Sequence, residues 1–276
     1  MPVQSKPRPT AIHARPLPRR GAQPAAPTPA ARPVLDAWLA SRPAATVGEG
    51  LARLGTLARR LESAGDRRAV FASTYFMQIQ AFADELKTPG RYQNPAWMEK
   101  MVLDFLQRYL DAFDAYERQD FARVPAAWKA AFDRAVEGNG PVVGDLLLAM
   151  NAHINHDLPL TLAATGATKA HRADYMRFND VLCNNIDGVQ DLVSERFLKP
   201  GNLASRGDRL AGPLDESATG LTIRRWRDAA WTHGQEVITH GKAAYPAILR
   251  RAGWRATAIG SGVDALPTFL AKRGLL

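Results

Sequence analysis

Asn94-Pro95-Ala96-Trp97-Met98-Glu99-Lys100-Met101-Val102-Leu103-Asp104-Phe105-Leu106-Gln107-Arg108-Tyr109 is the stretch on which the fold turns. Asn94 has a short side chain able to accept from the free N–H groups that open a helix, and Pro95 suits the first turn, where its missing N–H costs nothing. Behind them Trp97, Met98, Met101, Val102, Phe105, Leu106, Tyr109 and Phe113 recur at helical spacing and form a broad apolar stripe that belongs to a core. The same period runs from Val47 onward, and no segment alternates apolar and polar residues as a half-buried strand does. The expectation is an all-α domain of about six to eight helices.

Working outward, the pattern predicts helices over residues 47–62 and 66–86, the second ending before Lys87-Thr88-Pro89-Gly90. Pro125 opens a short helix carrying Trp128 and Phe132, which stops at Gly138. Then come residues 142–164, a break at Thr165-Gly166, and residues 170–197. Residues 198–220 read as a glycine- and proline-rich loop containing Arg206-Gly207-Asp208, a chance tripeptide. A long helix over 221–245 follows, with Trp226 and Trp231 as its anchors to the core and its arginines stacking on rings or bridging to carboxylates.

Charge and composition exclude several classes of function. The 276 residues are 46% hydrophobic, ordinary for a chain with one large core, and their longest apolar runs are far too short to span a bilayer. Six of the +9 net charges, from Lys6 to Arg32, precede the first acidic residue, Asp36, which leaves +3 for the rest. Nine of the 19 prolines lie in the same segment. Residues 1–35 therefore read as a disordered tail and 36–276 as the helical domain, with nucleic-acid contact confined to non-specific contacts of the tail. The tail has no uninterrupted apolar stretch and Cys183 is the single cysteine, which together point to a cytoplasmic protein.

The candidate site lies in Asn151-Ala152-His153-Ile154-Asn155-His156-Asp157-Leu158-Pro159. On a helix His153 and Asp157 share a face, a spacing that can chelate a metal or hold a carboxylate-oriented imidazole. If 142–164 and 170–197 pack as an antiparallel hairpin, Asn179 and Asp180 come level with His153. Pro159 removes a donor from the helix and frees the carbonyl of Asn155. The expectation is that His153, Asp157 and Asp180 form a catalytic group and ligate a divalent metal ion, with Asn155, His156 and Asn179 as binding residues. Two other readings stand beside it: a hydrogen-bond network that fixes helix register, and a solvated face, since Asp180, Asn184, Asp187 and Asp191 lie about 160° from Leu182, Ile186, Val189 and Val193. A second cluster, His233, Glu236 and His240, matches no metal motif.

The run from Met150 to Leu160, with Asp174-Tyr175, Asn179-Asp180 and the helix of Arg224, Trp226 and Trp231, resembles a family of uncharacterised bacterial proteins. The likeness spans most of residues 47–250 and implies that His153, Asn155, Asp157 and Pro159 are hallmark positions, without implying an activity. His153 and Asp157 also resemble the His-x-x-x-Asp fragment of zinc-dependent phospholipases C and single-strand nucleases. Those enzymes place another histidine just beyond, where this chain has Pro159, Leu160, Thr161 and Leu162. Two functions follow as expectations: a metal-assisted hydrolase-like enzyme, or a non-catalytic helical module that binds a small apolar ligand or a partner protein.

Overall fold

Thr46 opens the structure's first helix as the sequence rules require: its hydroxyl accepts from the Glu49 N–H at 3.1 Å, and the Glu49 carboxylate accepts from the Ala45 N–H at 2.9 Å. The computed structural model describes residues 42–138, 140–198, 216–248 and 250. They belong to one compact unit, residues 33–276.

Nine α-helices and no strand occur among the described residues: α1 Val47–Ser63, α2 Ala69–Leu86, α3 Pro95–Glu117, α4 Ala126–Glu137, α5 Val142–Asn151, α6 Leu158–Ala164, α7 Arg172–Asn184, α8 Ile186–Phe197 and α9 Glu216–His240. The excess over the expected six to eight has two local causes. A π-helical turn, Ala152–Asp157, interrupts residues 142–164, and Asn185 leaves helical geometry between α7 and α8. The backbone of α9 also begins earlier than expected, within the stretch read as a loop, while Arg206-Gly207-Asp208 and residues 1–35 lie outside the described residues.

The stripe of α3 is core along its whole length, from Trp97 to Phe113. Each of its large side chains contributes on the order of 1.5–3 kcal/mol by leaving water. Asn94 caps α3 through a 3.1 Å bond from the Trp97 N–H. Trp226 and Trp231 pack against the core, as expected of anchors.

The expected hairpin pairing does not form. Gly166, at φ 67°, turns the chain out of α6, and α7 packs on α2 and α9 instead of running back along α6. The partner of α6 is α9. Gly234 explains why: a Cβ there would stand 2.9 Å from the Leu162 Cβ and 3.3 Å from the Pro159 carbonyl, closer than side chains tolerate. Only a residue without a Cβ lets α9 approach α6 this closely. The rod formed by α5, the π turn and α6 is thereby enclosed by α2, α3, α4 and α9.

Candidate functional site

The π turn puts polar side chains where a regular helix of this burial would put apolar ones. Asn151, His153, Asn155 and Asp157 are all buried, and so are Ala152, Ile154 and Leu158 around them. The Leu158 N–H bonds to the His153 carbonyl, five residues back. Pro159 has no N–H to offer Asn155, so the α register cannot resume before it. The His156 carbonyl accepts from the Tyr245 hydroxyl at 2.7 Å. This irregular backbone sits where Pro159 led the sequence to expect it.

The polar groups of the turn do not converge on one centre. Asp157 is fully engaged: Trp128 Nε1 donates to one oxygen at 2.7 Å, and the other lies 2.7 Å from His156 Nδ1. Asn155 donates to Asn151 Oδ1 at 2.8 Å. Asn179 accepts from Arg227 Nε. Asp180 is an exposed residue, bonded to Arg224 at 2.6 Å. Asn184, Asp187 and Asp191 are exposed with it, so this stripe of the α7–α8 segment is a solvated face.

His153, Asp157 and Asp180, the expected ligand set, are not drawn to one point: Asp157 is bonded to Trp128 and His156, and Asp180 to Arg224. Among the described residues no group of three or more His, Cys, Asp or Glu is arranged to hold a metal ion, and that includes His233, Glu236 and His240. The expected set required α7 to lie along α6, the place that α9 takes at Gly234. The carboxylate-oriented imidazole does exist, but on His156, the neighbour of Asp157, rather than on His153.

His153 occupies an aromatic cage. Its ring stacks on Phe105, with centroids 3.5 Å apart and planes 9° apart, and meets Tyr75 edge-on at 4.3 Å and Phe71 at 5.4 Å. Among the described residues neither ring nitrogen has a hydrogen-bond partner. Burial, and then the charge of Arg227, hold its pKa well below 6.5, so the imidazole is neutral at pH 7.

Beside this ring lies a cavity of about 100 Å3, walled by α2, α3, α5, the π turn, α7, α8 and α9. Its lining is mostly apolar, with Ile79, Leu146, Leu182, Ile186 and Val189 among the contributors. Gln78 and Gln190 line it, and so do four buried polar residues: Thr74, Tyr75, His153 and Arg227. Each of these four is at least nine-tenths buried. Each carries a side-chain atom without a hydrogen-bond partner among the described residues: Thr74 Oγ1, the Tyr75 hydroxyl, both His153 nitrogens and Arg227 Nη2. Burial, and then the negative charge of Asp157, raise the Tyr75 phenol well above its usual pKa of 10, so it stays a neutral donor.

Arg227 is held rigidly. Its guanidinium lies over Tyr175 at 5.1 Å and Phe178 at 5.2 Å, Nε donates to Asn179, and Tyr175 donates to the Arg227 carbonyl at 2.6 Å. No carboxylate among the described residues bonds to it. Burial lowers its pKa, yet a guanidinium keeps its proton in proteins. Thr74, Tyr75 and Arg227 are the site residues that sequence reasoning missed. One signal was present: Arg227 falls in helical phase with Ala230, Gly234 and Val237, all buried, so it was an arginine on an apolar face.

Searches of curated proteins and of solved structures found no match. Residues 47–264, most of the chain, match the model of a family of unknown function (DUF5995), and the chain belongs to that family.

Proposed function

We propose that the domain is a binding module that takes a small, mainly apolar molecule into the cavity beside His153. The observation that carries this reading is the cavity itself. Protein interiors are packed to crystal-like density, with few voids larger than a water molecule, and about 100 Å3 bounded by seven helical segments is well beyond that. Its apolar walls and few polar groups are the common make-up of a small-molecule site.

A thermal-shift titration of the full chain with two neutral probes, toluene and 1-octanol, tests this. Saturable stabilisation is expected, growing with ligand concentration as a binder of the native state requires. Val189→Phe, which fills the cavity, is expected to abolish it. Absence of saturable stabilisation with either probe overturns the reading.

One pair favours a second reading, a hydrolase. His156 Nδ1 lies 2.7 Å from Asp157, and the carboxylate is anchored in turn by Trp128, an arrangement suited to general acid–base chemistry at His156 Nε2. This reading predicts hydrolysis of a simple activated ester, lost in His156→Gln while the melting temperature stays unchanged. An ester hydrolysed equally well by the variant excludes the pair as its catalyst.

A further inference from the structure

An unpaired guanidinium in an apolar interior is costly, because the low dielectric penalises a charge that no counter-charge offsets. Arg227 is 2% exposed, and the carboxylates of Asp228, Asp180 and Asp157 have partners of their own. Asp228 is bonded to Arg172 at 2.6 Å, Asp180 to Arg224, and Asp157 to Trp128 and His156. Arg227 Nη2 is nevertheless left without a partner on the cavity wall, in the company of three other polar groups in the same condition.

Resting on the binding-module reading, we propose that the cavity is the site of a small amphipathic monocarboxylate, whose carboxylate meets Arg227 and whose apolar body fills the rest. The charge balance selects the class. The wall holds one buried positive charge, a neutral imidazole, two neutral hydroxyls and two neutral amides, which together match one negative charge and leave a dianion such as a phosphate monoester undercompensated. The donors also suit the geometry of a carboxylate. A guanidinium edge offers N–H groups in its plane, and the Tyr75 and Thr74 hydroxyls supply further donors. The remaining wall, which includes Leu146, Leu182, Ile186 and Val189 beside the neutral amides of Gln78 and Gln190, is mostly apolar. At about 100 Å3 the space is smaller than the roughly 150 Å3 of a cavity that takes up benzene, so it holds the head group and the first few carbons, and the rest of a longer tail leaves through the open side of the pocket.

Calorimetric titration of the full chain with octanoate, 1-octanol and octylamine tests the head group at constant tail. Octanoate is expected to bind one-to-one and about ten- to a hundredfold more tightly than 1-octanol, the range that a charge-assisted hydrogen bond supplies, and octylamine to bind least. In Arg227→Met the preference for octanoate over 1-octanol is expected to vanish while 1-octanol still binds. In Tyr75→Phe octanoate is expected to weaken severalfold and 1-octanol to hold.

Equal affinity of the wild type for octanoate and 1-octanol overturns the carboxylate assignment and leaves the apolar cavity standing. So does an undiminished preference in Arg227→Met. Binding of neither ligand overturns both. If Arg227→Met does not fold, the three-ligand series on the wild type decides alone.

Discussion

Arg67 and Arg68 lie in one buried corner of the domain and Arg227 in another, and the chain treats the two corners differently. Arg67 is bonded to Asp145 at 2.6 Å and to the carbonyls of Gly138 and Gly140. Arg68 is bonded to Asp66 and Glu117, both at 2.5 Å. Burial works against the charge of Arg68, but those two carboxylates hold its pKa above the usual value. Arg227 is as deeply buried and has an amide, two rings and no carboxylate. This sequence can neutralise a buried guanidinium when the role is structural. Leaving one with spare donors at a cavity is how a protein holds a place for a charge that arrives from outside.

The largest expected effect comes from breaking the paired corner. Asp145→Ala strips Arg67 of its counter-charge and should cost about 3–5 kcal/mol, the usual penalty for orphaning a buried charge, measured as a drop in the denaturant midpoint. A loss below about 1 kcal/mol would mean that the pair is solvated and the contrast with Arg227 is empty.

Next comes the anchor of the π turn. Trp128→Phe removes the donor to Asp157 and is expected to cost about 1–3 kcal/mol in the same measurement.

His153→Phe sharpens the comparison through pH. The unfolded chain takes up a proton at this imidazole below its ordinary pKa of 6.5, and the buried ring does not. The stability tied to neutral His153 is therefore complete above that pH and is lost as pH falls toward the lowered folded value, with a slope of up to about 1.4 kcal/mol per pH unit. The variant should flatten the acid side of the stability curve relative to wild type. Parallel curves would mean that the ring is protonated in the fold.

The smallest expected effect is also the sharpest contrast. Arg227→Met without ligand should change stability by about 1 kcal/mol or less, on the stabilising side, because it removes an uncompensated charge and keeps an unbranched side chain. A loss as large as that of Asp145→Ala would make Arg227 a structural arginine like its counterparts.

The all-α class was legible because it rests on local signals: the stripe from Trp97 to Phe113, the cap Asn94, and the breaker Gly166. Pro159 likewise marked the irregular backbone. The partner of the rod was not legible. Adjacency in sequence favoured α7, while the deciding fact was how closely α9 can approach at Gly234, a property of two surfaces and not of one segment. The candidate site divided along the same line. His153 was found because its neighbours drew attention to it. Arg227 looked like one more arginine in Arg224-Arg225-Trp226-Arg227, since a one-dimensional pattern shows which face a residue occupies but not that its counter-charge is absent.

The π turn has a consequence for how one rod serves two sets of neighbours. Each residue of a regular helix advances its faces by about 100°, so a wide turn acts as a phase shift between what lies before it and what lies after. Upstream, α5 is in phase with α2 and α4; downstream, α6 is in phase with α3 and α9. Inserting one further residue within Ala152–Asp157, with no second wide turn to absorb it, would advance Leu162 by about 100° and turn it away from Gly234. The length of this segment, as much as its composition, then becomes a constraint on the fold.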